Sequence, residues 1–105
     1  MPRIAYVNGR YLPHAAAGIH IEDRALQFSD GVYEVIAIRS GKLMDLEPHL
    51  ERLARSLSEL RIRQALRKEG LKIIFNEVIR RNHSRYHAVL RRAIMAFRPK
   101  KYARA

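Results

Sequence analysis

Residues 22–35 read EDRALQFSDGVYEV, and this stretch decides the fold of the chain. Its first half is polar and ends at Gly31, where the lack of a side chain allows a tight turn. The second half enters a run over residues 32–39 that is rich in Val, Ile and Tyr, which favour strands. Apolar residues occupy both alternating sets of positions in this run. We therefore predict a strand that is covered on both faces.

The sequence before this stretch predicts a β-hairpin. Residues 4–7 and 10–12 are rich in strand-forming residues, and they flank the pair Asn8-Gly9. An Asn-Gly pair between two such runs is the strongest short-range signal for a two-residue type I′ turn. We expect the chain to open with this hairpin.

Two helices are predicted after the strand. The first follows Asp45, a potential N-cap, and four leucines recur in it with helical spacing, namely Leu50, Leu53, Leu57 and Leu60. The second covers residues 66–81 and ends at Asn82. Strands followed by two helices predict an α+β domain, in which a mostly antiparallel sheet has both helices packed on one side.

The excess of positive charge lies almost entirely near the C-terminal end. The formal net charge is +11, yet residues 1–79 contain 12 basic and 10 acidic residues, whereas residues 80–105 contain 9 basic and no acidic ones. This distribution predicts a body of balanced charge followed by a basic tail. An alternative function is therefore a small basic protein that binds nucleic acid through residues 80–105.

The composition argues against several other classes of site and location. Cysteine is absent, which excludes disulfides and thiolate metal sites. No apolar run approaches the roughly 20 residues of a membrane-spanning helix, and the first residues lack the apolar stretch of a signal peptide, so we expect a cytoplasmic protein. His83 and His87 have the spacing of zinc ligands on a helix, but no third ligand accompanies them. We expect no metal site.

Residues 28–34, FSDGVYE, resemble the FGDGVYE signature of the class IV, or fold-type IV, pyridoxal-phosphate enzymes. These include D-amino-acid and branched-chain aminotransferases and aminodeoxychorismate lyase. Ser29 stands where the family has its first glycine, and the segment EPHLERL at residues 47–53 supports the resemblance. It implies the small N-terminal domain of such an enzyme, with pyridoxal 5′-phosphate as cofactor, an amino acid and a 2-oxo acid as substrates, and a homodimer as the assembly.

The resemblance implies roles for two residues. Tyr33 matches the tyrosine whose hydroxyl faces the active site and helps to hold the substrate carboxylate, and Arg52 matches the arginine that binds the cofactor phosphate. A guanidinium suits a phosphate because it offers a fork of charge-assisted hydrogen bonds. Taken alone, a tyrosine such as Tyr33 is more often a packed strand aromatic, and an arginine such as Arg52 is usually a solvated surface charge. The surrounding motifs favour the functional roles. We expect Asp23 and Arg24 to form an ion pair or to anchor the loop.

The resemblance also implies that the catalytic lysine lies elsewhere. In the family this lysine belongs to a larger C-terminal domain, and no lysine of this chain lies in a matching context, so we assign no catalytic residue. The resemblance covers roughly residues 4–82 and then stops, which predicts an aminotransferase-like domain over residues 1–82 and a basic tail over residues 83–105. When the codons that could encode the residues from His87 onward are read in another frame, they permit the sequence that follows in the family. A frameshift near residues 82–86 is therefore one hypothesis for the basic tail, and disorder is another.

The expected function is that of a truncated transaminase, inactive as the chain stands. The donor, a D- or a branched-chain amino acid, stays open at this point, as does the choice between an aminotransferase and a lyase.

Overall fold

The structure is a computed structural model that describes residues 3–64 and 66–82 and, for residues 91–97, the backbone. It contains five strands, three α-helices and a short 3-10 turn at His14–Ala16. In chain order the strands and α-helices are β1 (Ile4–Val7), β2 (Arg10–Pro13), α1 (Arg24–Phe28), β3 (Val32–Arg39), β4 (Lys42–Leu43), α2 (Leu46–Glu59), α3 (Lys68–Arg81) and β5 (Arg91–Phe97).

The predicted opening hairpin is confirmed. Strands β1 and β2 pair antiparallel around Asn8 and Gly9, whose φ angles of 51° and 89° are both positive, as a type I′ turn requires. Tyr6 and Tyr11 are partners across the two strands, and their rings meet edge to face at 5.0 Å. The second strand extends one residue further than predicted, to Pro13.

The strand predicted over residues 32–39 is β3, and it is the centre of a second sheet. The order in this sheet is β4-β3-β5, and both pairings are antiparallel. The two sheets and the helices confirm the predicted α+β class. Strand β5 pairs with β3 along residues 32–38, whereas β4 pairs with it only at Ile38 and Arg39.

One face of β3 is buried in the described structure, and the other is partly covered. Ile36 and Ile38 are fully buried on the first face together with Glu34. On the second face Tyr33 is 70% exposed, while Val35 and Ala37 are half-buried. The prediction of a strand covered on both faces therefore holds only in part for the side that carries Tyr33. Glu34 contacts side chains of α2, which shows that this helix lies on the buried face.

Helix α2 supplies most of the apolar core. Three of the four predicted leucines are buried, while Leu60 caps the end of the helix and is partly exposed. Asp45 precedes the helix as predicted, but its φ of 53° is left-handed and its side chain makes no capping hydrogen bond, since such a bond needs an extended backbone. The core cluster comprises Leu50, Leu53, Leu57, Ile62 and Leu71.

Part of the segment predicted as a tail belongs to the sheet. Residues 91–97 form β5, which pairs with β3 from Val32↔Phe97 to Ile38↔Arg91. The boundary predicted at residue 82 therefore separates β3 from one of its partners. The motifs that set this boundary are local, and they carry no information on backbone pairing. The remainder of residues 83–105, with His83 and His87, lies outside the described residues.

Asn82 ends α3 as predicted, and it also joins that helix to β1. Its Oδ1 accepts a hydrogen bond from the Ile4 amide at 2.9 Å, and its Nδ2 donates to the carbonyls of Ile4 at 3.0 Å and Val78 at 2.8 Å. The side-chain amide thus pairs with both backbone groups of Ile4, as a neighbouring strand would. Nearby, the Arg81 guanidinium lies 4.3 Å from the ring centre of Tyr11.

We expect Asn82→Asp to lower the free energy of unfolding by about 1–3 kcal/mol. An aspartate still accepts from the Ile4 amide but places a second acceptor against two carbonyl oxygens. Denaturation by urea, followed by circular dichroism, measures the loss. Asn76→Asp is the matched control, because Asn76 is exposed on the same helix and its change should stay within about 0.5 kcal/mol. Equal losses in both variants would contradict this role of Asn82.

Candidate functional site

The segment before β3 is held by polar side chains. Asp23 caps α1, since its Oδ1 accepts a hydrogen bond from the Ala25 amide at 2.9 Å. Arg24 donates from Nε to Oδ2 of the buried Asp30 at 2.8 Å. The expected anchoring of the loop is therefore present, but the ion pair joins Arg24 to Asp30 instead of to its neighbour Asp23. At the start of a helix, the side chains of consecutive residues point in different directions, whereas the turn after α1 brings Asp30 close to Arg24.

Ser29 ends α1 in the left-handed conformation, with φ 52° and ψ 34°. This conformation favours glycine, because a side chain at such a position is strained. It gives a physical reason for the glycine that the family signature carries here. The backbone of this chain adopts the turn in spite of the serine.

Two consecutive residues of β3 divide the site between the faces of the sheet. Tyr33 is largely exposed on one face, and Glu34 is only 5% exposed on the other. Successive side chains of a strand point to opposite faces, so this separation follows from the backbone. The structure consequently places Tyr33 on the face opposite to that on which Arg52 meets Glu34, and no hydrogen bond joins the two predicted site residues within the described part of the chain.

Arg52 and Glu34 form a forked ion pair. The arginine donates from Nε to Oε2 at 2.9 Å and from Nη2 to Oε1 at 2.8 Å. Paired charge-assisted hydrogen bonds of this kind combine strength with a fixed geometry. The pair joins α2 to β3, so the predicted phosphate-binding residue is held by the sheet.

His49 completes a cluster of three side chains around this carboxylate. Its Nδ1 lies 2.7 Å from Oε1 of Glu34, and because a carboxylate only accepts, Nδ1 is the donor. His49 and Arg52 are three residues apart on α2, a spacing that places them on neighbouring turns of one face. We name Glu34, His49 and Arg52 the carboxylate cluster.

The electrostatics of the cluster favour the charged forms of Glu34 and Arg52. The hydrogen bond from Arg52 is the main reason that the pKa of Glu34 lies below its ordinary value of 4.5, and the bond from His49 adds to this effect against the opposing cost of burial. In return, the carboxylate raises the pKa of Arg52. A charged pair is therefore present at neutral pH.

Part of the Arg52 guanidinium is accessible. The bonds to Glu34 use Nε and one N–H of Nη2, so the end of the fork, formed by Nη1 and the second N–H of Nη2, points away from the carboxylate. The side chain is 57% exposed. It borders an open depression of about 590 Å³ that is lined by Asp45, Pro48, His49, Glu51, Arg52 and Arg55.

The described lysines are not placed as catalytic nucleophiles. Lys68 and Lys72 both donate to Glu47, at 3.0 Å and 2.6 Å, and link α3 to the start of α2. The carboxylate raises the pKa of Lys68, whereas a lysine that forms a Schiff base needs a lowered one. Lys42 is exposed on β4. Lys100 and Lys101 lie outside the described residues.

Residues 3–64 and 66–82 contain neither a candidate metal centre nor a candidate membrane span. No group of three or more His, Cys, Asp or Glu side chains comes together there as a metal site would require. No helix in the described part of the chain is long and apolar enough to cross a membrane.

Comparison with known proteins decides the family. The sequence matches the family model described as amino-transferase class IV over residues 31–103. The chain belongs to the class IV aminotransferases. The matched range includes β5 and crosses the boundary predicted at residue 82.

Individual relatives agree with this assignment. A D-alanine aminotransferase of Bacillus licheniformis is 40% identical over 78 residues, which cover 74% of this chain and 28% of the relative. One from Staphylococcus haemolyticus is 29% identical over 98 residues, which cover 93% and 35%. The chain thus spans about a third of the length of these curated relatives. The alternative of a nucleic-acid-binding protein is not supported by the comparisons.

The fold agrees as well. A fold IV transaminase from Curtobacterium pusillum, CpuTA1, superposes with a TM-score of 0.74 at 25% identity, over 83% of this chain and 30% of that one. The predicted fold, that of the small domain of the fold-type IV aminotransferases, is confirmed.

Two members of the carboxylate cluster were part of the quoted motifs but received no role from the sequence. Glu34 was detectable in principle, because it occupies the same alternating register as Ile36 and Ile38 and is an acid on an otherwise apolar face. No comparable signal marked His49, since its partner is 15 residues away on another element.

We expect the free energy of unfolding to fall as the pH is lowered below about 4.5, and to fall less in Glu34→Gln. The folded-state pKa of Glu34 lies below its unfolded value, so the stability that this group contributes is complete above the unfolded pKa. It is lost as the pH drops through the folded pKa. Other paired acids titrate in the same range, and the variant serves as their control. If the difference in free energy of unfolding between the wild-type chain and Glu34→Gln stays constant from pH 7 to pH 3, Glu34 does not contribute to stability in this way.

Proposed function

We propose that this chain forms the phosphate-facing and substrate-facing wall of a pyridoxal-phosphate-dependent transaminase site. Class IV aminotransferases use this cofactor and act on amino acids and 2-oxo acids. The proposal rests on the orientation of Arg52. Glu34 binds the edge of its guanidinium that is formed by Nε and Nη2, and the end formed by Nη1 and the second N–H of Nη2 is accessible.

The donor set fits the phosphate of the cofactor. A phosphate dianion accepts two parallel N–H bonds from a guanidinium, and the end of the Arg52 fork offers two. The cofactor would supply an electron sink for the transfer of the amino group. In this proposal Arg52 holds the phosphate, and the exposed hydroxyl of Tyr33 donates to the carboxylate of the substrate.

The amino donor that we propose is a D-amino acid. The support comes from the relatives, since both of the curated ones named above are D-alanine aminotransferases. The homodimer and the cytoplasmic location expected from the sequence stay predictions.

We expect the phosphate group to contribute measurably to binding through Arg52. Titration calorimetry with pyridoxamine 5′-phosphate and with pyridoxamine compares the two ligands, and neither carries an aldehyde that would react with lysines. The phosphate should improve the affinity of the wild-type chain about tenfold or more, and Arg52→Gln should remove most of this gain. Arg39→Gln is the control, because it removes an equal charge from an exposed position at the far end of β3. A phosphate gain that survives in Arg52→Gln would contradict the proposal.

We also expect no transamination by the chain alone. With added pyridoxal phosphate, D-alanine and 2-oxoglutarate should yield no pyruvate above the rate without protein. The physical reason is that Glu47 raises the pKa of Lys68 and also engages Lys72 in an ion pair, whereas a Schiff base requires a free, neutral amine. Sustained formation of pyruvate would show that a lysine of this chain is catalytic.

A further inference from the structure

Glu34 occupies a position where packing alone favours an apolar residue. It shares the buried face of β3 with Ile36 and Ile38, and removing a carboxylate from water is costly. Replacing buried ion pairs with apolar side chains is often neutral or stabilising. The presence of an acid here is therefore explained better by the side chain that it binds than by its contribution to packing.

Glu34 fixes the orientation of the Arg52 guanidinium plane. Its two oxygens bind Nε and Nη2 of Arg52, and since the guanidinium is rigid and planar, this contact also sets the direction of Nη1. Arg52 otherwise has a long side chain with more than half of its surface exposed. Without the carboxylate, that side chain would sample many rotamers and pay their entropy upon binding a ligand.

His49 in turn restrains the carboxylate. Its Nδ1–H donates to Oε1, the same oxygen that accepts from Nη2 of Arg52. This second donor comes from α2, the helix that carries Arg52. The orientation of the carboxylate is therefore set relative to the helix from which the guanidinium extends.

We propose that Glu34 and His49 are positioning residues, which hold the end of the Arg52 fork in the direction from which it receives a phosphate. The inference rests on the proposed function, in which Arg52 binds the cofactor phosphate. It adds that the affinity for a phosphate depends on two side chains that do not contact it.

The charge of Glu34 makes the test decisive. A carboxylate next to Arg52 reduces the positive potential there, so the change of charge in Glu34→Gln would by itself strengthen the binding of an anion. Loss of orientation would weaken it. The two effects have opposite signs, and the direction of the change separates them.

The experiment titrates inorganic phosphate into the chain labelled with ¹⁵N-arginine and follows the Arg52 resonances. In the wild-type chain, the ion pair with Glu34 should slow rotation about the Nε–Cζ bond and give separate signals for Nη1 and Nη2. Phosphate should shift the Nη1 signal more than the Nε signal. We expect phosphate to bind about tenfold more weakly to Glu34→Gln, with averaged Nη signals, and about two- to fivefold more weakly to His49→Leu. Circular dichroism verifies that each variant is folded.

The control is Glu47→Gln, which removes the same charge from an acid that pairs with Lys68 and Lys72 instead of with Arg52. It should bind phosphate with unchanged or higher affinity and keep the resolved Arg52 signals. Should Glu34→Gln fail to fold, His49→Leu and the wild-type spectrum still decide the inference, because averaged Nη signals in the wild-type chain would overturn it.

The outcomes separate the two proposals. If phosphate leaves the Arg52 signals of the wild-type chain unshifted, both the phosphate-binding role of Arg52 and this inference are wrong. If phosphate shifts them but binds Glu34→Gln equally well or more tightly, the proposed function stands and the positioning role of Glu34 is wrong.

Discussion

The ion pair between Glu34 on β3 and Arg52 on α2 joins the sheet to the helix at the candidate site. Its carboxylate is buried, and it is satisfied from one helix by two donors, the guanidinium and the imidazole of His49. Because a buried charge is stable only when its hydrogen bonds are made, the pair constrains where α2 lies on β3. The leucines of the same helix then pack where this constraint places them.

The alternation of β3 carries a second consequence. Tyr33 and Glu34 are neighbours in the sequence but face opposite sides of the sheet. One side is closed by α2 and holds the carboxylate cluster, while the other leaves the tyrosine hydroxyl exposed in the described structure. Under the proposed function, one strand thus serves the cofactor phosphate through Glu34 and Arg52 and the substrate through Tyr33.

Local signals in the sequence predicted much of the fold correctly. Asn8-Gly9 specified a turn with two positive φ angles, the bounds of β3 followed from its strand-forming residues, and the leucine spacing located α2. The capping role of Asp45 was predicted wrongly, because its left-handed backbone is set by the turn between β4 and α2. The boundary at residue 82 divided the sheet, because the local motifs that set it do not report the pairing of β5 with β3.

By itself, the sequence determined the family, through the motif around Tyr33 and Arg52, and it located the opening hairpin, β3, α2 and α3, because these depend on turn chemistry and on the spacing of apolar residues. The tertiary structure alone decided which polar groups meet. Arg24 pairs with Asp30, Asn82 with the backbone of Ile4, and Glu34 with two residues of α2. The first contact depends on the turn after α1, whereas the other two join positions up to 78 residues apart and depend on the packing of helices on strands.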